Sequence, residues 1–244
     1  MESDNRLQLA LETSSARGSV ALGRHGQVLC ARTLTEERKH TSELLPVTRD
    51  LLNEMGISPK QVQEVHFSHG PGSFTGLRVA ATVARMWQST IGCRVVAVPS
   101  LEAIARNALT HPDQPSRLAV ILDARQGKLF GAVFKRDGDD QIRAVSQAGL
   151  FPATSWLAEV EQPCRVLGEG VQKHAVAIAE AGLEPLPEAY WWPDARQVLA
   201  IGNRLALAGD FRSPEKIVPE YLRPPECELV YEKRRAAARE RRGE

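Results

Sequence analysis

Residues 9–22 read LALETSSARGSVAL, and residues 120–134 read VILDARQGKLFGAVF. Each segment runs from an apolar strand into an acidic residue, Glu12 or Asp123, and then through a polar turn containing glycine, Gly18 or Gly127. An alternating strand follows in both. Recurrence of one such unit at long spacing marks an internal duplication, here two similar α/β lobes. The boundary falls near residues 99–116, where THPDQPS (110–116) carries the proline and polar residues of a connecting loop.

The surroundings of the two segments repeat as well. In the first half, LQLALETS, ARGSVALGRHG and QVLCARTL read as successive strands joined by glycine-containing turns. A helix is expected from Thr41 to Met55 with Gly56 as its stop, then a strand at EVHFSH, a helix over 74–91 and a strand at RVVAVP. Ser100 is expected to cap the helix LEAIARNAL. The second half opens with two strands in 117–136 and a third at QIRAVSQAGL. Helices are expected near 154–160, 170–181 and 195–208, with CRVLGEG as a strand and turn between the first two. The division by lobes is 1–99, 100–223 and a basic tail, 224–244.

This layout, a strand meander opening each lobe, resembles the actin-like, sugar-kinase and Hsp70 ATPase superfamily. The resemblance implies two duplicated RNase H-like lobes holding a nucleotide between them. It also implies that Glu12 and Asp123 stand where an acidic residue approaches metal and phosphates. Spacing alone leaves open that each carboxylate only caps a turn.

The chain has 244 residues, a formal net charge of +1, 43% hydrophobic and 25% charged residues. That length supports one large or two small lobes with real cores. Near-neutral charge supplies no global attraction to nucleic acid or membrane. The run EKRRAAARERRGE (232–244) can touch phosphates or stand as a solvated terminus. Cys30, Cys93, Cys164 and Cys227 are far apart, without a C-x-x-C, and read as unpaired thiols in a reducing compartment. MESDNRLQLALETSS lacks the pattern of a secretory signal, and no apolar run approaches the roughly 20 residues needed to cross a bilayer. The expectation is a soluble, cytoplasmic protein without membrane contact.

The stretch VHFSHGPGSFTGLRVAATVARMW (65–87) places a glycine turn between a strand and a helix. It is not a Walker loop, because Gly76 is followed by Leu77 and Arg78. Nor is it a dinucleotide fingerprint, because Thr75 stands where a third glycine belongs. The helix N-terminus near Ser73 could attract an anion, or Gly70, Pro71 and Gly72 could simply turn the chain. The helix itself says more. With about 100° between successive residues, Val79, Val83 and Met86 share one side, and Leu77, Ala80, Ala84, Trp87 and Ile91 the adjoining arc. That arc is about twice the stripe a helix needs to lie on one sheet, so a second contact is expected. The helix at 41–55 offers Leu44, Leu45, Val47, Leu51, Leu52 and Met55 as a neighbour. An external partner is the other reading.

LALETSS, HTSELLP, SHGPGSFTGLRVA and ILDARQGKLFGAVF together resemble the TsaB family, also called YeaZ, in order and over nearly all of residues 6–223. The resemblance implies a non-catalytic subunit required for forming threonylcarbamoyladenosine in tRNA. It would bind and stabilise a catalytic TsaD-like subunit, with a TsaE-like ATPase joining the complex and a TsaC-type synthase supplying the threonylcarbamoyl-adenylate. Contact with tRNA would be indirect. The docking surface so implied is Leu45, Leu52, Val79, Val83, Met86 and Trp87. Without its partner the same patch is expected to pair with a second copy of the chain.

Readings with chemistry of their own fare worse. The catalytic relatives carry H-x-x-x-H where this chain has SLEAI, so Ser100 and Ile104 replace two imidazole metal ligands. No metal and no cofactor are expected, and a metallopeptidase is disfavoured. No G-x-S-x-G elbow marks a serine hydrolase. A small-molecule kinase of the same superfamily is the alternative. The cleft it would use, Glu12, Ser14, Asp123 and Gly168, reads as degenerate: Glu169 replaces a glycine of the adenosine-binding turn, and DARQG replaces a glycine-rich phosphate turn.

Overall fold

A computed structural model describes residues 6–34, 40–138 and 141–223 of the chain. Cys227 and the basic tail lie outside the described residues.

The first sheet is built from β1 (Leu7–Glu12), β2 (Ser19–Arg24), β3 (Gln27–Thr33), β4 (Val62–Gly70) and β5 (Arg94–Pro99), in the order β3-β2-β1-β4-β5. β1 to β3 form an antiparallel meander, and β4 and β5 continue parallel to β1. The connections from β3 to β4 and from β4 to β5 therefore need crossovers, which α1 (His40–Glu54) and α2 (Phe74–Ile91) supply. Helix α2 begins at Ser73, whose Oγ accepts from Gly76 N–H, and stops at Gly92 in the left-handed region.

The second sheet repeats this plan. β6 (Arg117–Asp123) pairs antiparallel with β7 (Lys128–Arg136), which pairs with β8 (Ile142–Ala144) and β9 (Gly149–Pro152). β10 (Arg165–Leu167) and β11 (Glu184–Pro185) lie parallel on the other side of β6. The order β11-β10-β6-β7-β8 is the first sheet's order read from the other edge. The fold is the duplicated, RNase H-like α/β architecture expected from the sequence.

The helices form layers around the sheets. Leu9, Leu11, Val20, Leu22, Val65 and Phe67 face α1 and α2. The other face, with Ala10, Ala21, Val96 and Val98, receives α3 (Ser100–Asn107) and α7 (Ala195–Leu207). Helix α3 also packs on the second sheet, beside Leu118, Val120 and Phe134. The far face of that sheet is covered by α4 (Ala153–Ala158), α5 (Gly170–Lys173) and α6 (Ala175–Glu180). Helix α7 comes from the second half of the chain yet lies on the first sheet, and its Ala195 N–H donates to Ser19 Oγ at 2.9 Å.

Three local expectations are corrected. The third strand of the second half is two strands, because Val133 N–H turns from the ladder to Ser146 Oγ (2.8 Å) while Val145 N–H reaches Val133 O (2.8 Å). The helix expected over 170–181 breaks at His174, whose backbone (φ −111°, ψ 20°) leaves the helical range. Ser100 is the first residue inside α3 rather than its cap; Pro99 holds the cap position, and Ser100 Oγ is buried.

A buried polar network ties α7 to the first sheet. The side chain of Glu64, 0% exposed, accepts from Arg6 (2.7 Å), Arg94 (2.6 Å) and Gln8 (2.8 Å). Gln8 also donates to Asn203 of α7 at 2.8 Å, and His66 Nε2 lies 3.4 Å from Glu64.

Candidate functional site

Two places collect the residues singled out in the sequence: the outer face of α1 and α2, and the hairpin turns at the ends of β1 and β6.

On the helical face, α2 lies across β4 and against α1, and the shared core takes Leu44, Leu51, Leu52, Ala80, Val83, Ala84 and Trp87. Val83 is only 6% exposed and belongs to that core. An arginine there would test folding rather than docking. Leu45 and Met86, by contrast, stand 42% and 41% exposed, and Val79 is half-buried. Between Leu45 and Met86 a cavity of about 460 Å³ opens at the surface. Leu52 and Trp87 line it together with Leu45, Met86 and Ile91, while Arg49, Asn53 and Thr90 contribute polar groups. Four of the six residues expected on this face therefore meet at one concavity. Pro46 and Pro59 also line it and carried no periodic signal; Pro46 lies within α1 and removes one hydrogen bond of that helix. Large apolar side chains left around an open concavity are the ordinary composition of a protein contact surface.

The turn after β1 is closed on itself. Glu12 is 0% exposed, and its carboxylate accepts from Ser14 N–H (2.5 Å), Ser14 Oγ (2.6 Å) and Ser68 Oγ. Ser14 O in turn accepts from Ser73 N–H (2.7 Å) of the glycine turn, and Thr13 Oγ donates to Gly76 O (2.7 Å). Burial pushes the Glu12 carboxyl up to about 7; the hydrogen bonds from Ser14 and Ser68 offset this only in part, and the charge of Asp194 adds to it. Ser14 was singled out through the superfamily resemblance. Ser68 and Asp194 come from distant segments and gave no signal.

In the second lobe Asp123 is 30% exposed at the end of β6. It accepts from Arg125 N–H at 3.0 Å, and His174 Nε2 lies 3.5 Å away. Gly168, at φ +110°, sits so close to β6 that a Cβ there would meet Ile121 O at 2.2 Å. Each acidic residue is thus bonded within its own half. Among the described residues no group of three or more His, Cys, Asp or Glu side chains comes together as a metal site.

The Glu12 geometry fixes the sign of a pH dependence. A carboxyl at about 7 in the fold and near 4.5 when unfolded makes the native state bind more protons between those values. Stability should then fall as pH rises from about 4.5 through about 7, by on the order of 3 kcal/mol. Glu12→Gln keeps the shape and removes the charge. Urea denaturation should find the variant more stable than the parent at pH 8 and close to it at pH 4.5. A variant no more stable at pH 8 would mean that Glu12 is ionised without cost.

The three thiols among the described residues are kept protonated by burial. Burial pushes Cys93 up to about 11 and Cys164 to about 12, and also raises Cys30, leaving thiols rather than thiolates at neutral pH. Cys30, Cys93 and Cys164 are free. Among the described residues no helix is long and apolar enough to cross a membrane.

Comparison with known proteins finds the same architecture. The sequence profile of the family described as "TsaD: tRNA N6-adenosine threonylcarbamoyltransferase" matches residues 27–211. The tRNA threonylcarbamoyladenosine biosynthesis protein TsaB of Bacillus subtilis (strain 168) is 26% identical over 228 residues, covering 91% of this chain and 96% of the relative. The protein of the same name from Escherichia coli (strain K12) is 26% identical over 220 residues, covering 88% and 94%. Among solved structures, YeaZ from Pseudomonas aeruginosa superposes with a TM-score of 0.75 at 26% identity, covering 89% of this chain and 100% of that one.

Proposed function

The chain belongs to the TsaD family and within it is similar along nearly its whole length to the TsaB (YeaZ) proteins, and from that premise we propose that it acts in forming threonylcarbamoyladenosine in tRNA, as a cytoplasmic, non-catalytic subunit that binds and stabilises a TsaD-like catalytic partner.

The observation that carries this reading is the open apolar cavity between α1 and α2. A helix of the partner that seats one bulky apolar side chain beside Leu45, Met86 and Trp87 would complete the layer that α1 and α2 leave unfinished. Contacts of this kind, a buried anchor in a pocket, carry most of the affinity of protein interfaces. A TsaE-like ATPase would join the assembled pair, and tRNA would be met through the partner. In the partner's absence two copies of the chain would cover this face for each other. Mixing the purified chain with the TsaD-like subunit of the same organism should give a one-to-one complex in gel filtration with light scattering. Separate elution of the two at micromolar concentration would contradict the proposal.

The sealed state of Glu12 supports the absence of chemistry. A carboxyl that is 0% exposed and wrapped by Ser14 and Ser68 offers no oxygen to a metal–phosphate group. ATP hydrolysis by the chain alone is expected at background. Robust turnover that disappears in Asp123→Asn would instead favour a kinase of the same superfamily.

A further inference from the structure

Residues 211–223 follow α7 without a strand or a long helix, yet they are tied at short intervals to distant parts of the fold. Arg212 N–H donates to Val95 O at 2.8 Å, and Gln88 Nε2 donates to Arg212 O at 3.3 Å. Arg85 donates to Ile217 O at 3.3 Å, and the Ile217 side chain is buried in the core beneath α2. The segment then crosses the glycine turn. Glu220 N–H donates to His69 O at 2.6 Å, and Glu220 O lies where a Cβ on Gly70 would be only 2.5 Å away.

Beyond that turn the contacts reach both lobes. The ring of Tyr221 lies 5.0 Å from that of Phe74, and its hydroxyl accepts from Arg78 Nε at 2.9 Å. The Arg78 guanidinium itself stacks 3.9 Å over Phe74. Two residues later Arg223 donates to Ala124 O at 2.5 Å and to Gln126 Oε1 at 3.2 Å. Ala124 and Gln126 belong to the β6–β7 turn of the second sheet, directly after Asp123.

We propose that residues Ile217–Arg223 are a strap that fixes the start of α2 and the first lobe's glycine turn to the β6–β7 turn of the second lobe. Glu12, Gly70 and Asp123 end β1, β4 and β6, the side of such sheets on which ligands bind. The strap therefore joins the two lobes at this end of the sheets, apart from α3, which packs on both of them. Phe74 and Arg78 lie in the first turns of α2, so a displacement of that helix is carried by Tyr221 to Arg223 and thence to the turn beside Asp123. The inference concerns the free chain and holds whether or not α1 and α2 receive a partner.

Hydrogen–deuterium exchange on the full chain tests it, because local openings are read amide by amide. Arg223→Ala should speed exchange in residues 124–128, where Ala124 N–H and Lys128 N–H close the turn, by about fivefold, the loss of roughly one hydrogen bond's worth of protection. Tyr221→Ala should speed exchange in 73–77 and also in 124–128, although Tyr221 does not touch the second turn. Amides of β1 and β2 should keep their parent rates in both variants. If Tyr221→Ala leaves 124–128 unchanged, or if exchange rises uniformly over both sheets, the segment transmits nothing and the proposal fails.

Discussion

The double substitution Leu45→Arg, Met86→Arg is expected to abolish binding of a TsaD-like subunit while leaving the chain folded. Both side chains are more than two-fifths exposed in the free chain, so two guanidinium groups there remain in water and cost the fold little. In the complex they would enter the cavity beside Leu52 and Trp87 without a counter-charge. An unpaired charge at a buried interface costs about 3 kcal/mol or more, which is roughly a hundredfold in affinity for each substitution. Circular dichroism should be unchanged and the co-eluting peak should vanish. The Val83→Arg substitution makes a useful contrast, because Val83 already lies in the core and its loss should lower thermal stability itself. A folded double variant that binds as tightly as the parent would place docking on another surface.

Glu64→Ala should be the most destabilising single change on the α7 side of the first sheet. The carboxylate is the common acceptor for Arg6, Gln8 and Arg94. Arg6 and Arg94 can turn toward solvent, but Gln8 and His66 are buried and would each lose a partner. The expected loss is about 3 kcal/mol, in line with breaking one side of a buried ionic cluster. Burial alone would raise the Glu64 carboxyl, but hydrogen bonds from His66 and Gln8 and the charges of His66 and Arg6 hold it down at about 2. A carboxyl lowered from about 4.5 contributes stability that is fully present above that value and is lost as pH falls toward about 2. The parent should therefore lose on the order of 3 kcal/mol across that acid window, and Glu64→Ala should lose much less. Parallel acid titrations of parent and variant would show that Glu64 is not the group responsible. Glu12 acts in the opposite direction between about 4.5 and 7.

The duplicated sheets were legible in the sequence because each depends on local patterns. LALETSSARGSVAL and VILDARQGKLFGAVF carry both the alternation of a hairpin and its turn, and β1–β2 and β6–β7 pair as those patterns require. The breadth of the apolar arc on α2 was also readable, and the structure divides it between the sheet, α1 and the open cavity. What escaped are features decided by distant partners. Arg78 and Arg85 lie on the narrow polar strip that the apolar arc of α2 leaves, and Gln88 carried no signal, yet residues 212–221 run along all three and accept their hydrogen bonds. The Gln8–Glu64–Asn203 network joins segments with no common periodicity. Val83 shows the limit of helical angles: they put it on one side with Val79 and Met86, but not how deeply the surrounding core covers it. The break at His174 has no helix-breaking residue to announce it; there the imidazole comes within 3.5 Å of Asp123, which is distant in sequence.

The central claim, a required subunit without chemistry of its own, is tested most directly by reconstitution. Purified TsaD-like subunit, TsaE-like ATPase and a source of threonylcarbamoyl-adenylate are incubated with unmodified tRNA, and the nucleosides are analysed by mass spectrometry. The account predicts threonylcarbamoyladenosine when this chain is added, none when it is omitted, and an undiminished yield with Asp123→Asn. Formation of the nucleoside at the same rate without the chain, or its loss in a folded Asp123→Asn variant that still binds the TsaD-like subunit, would contradict it.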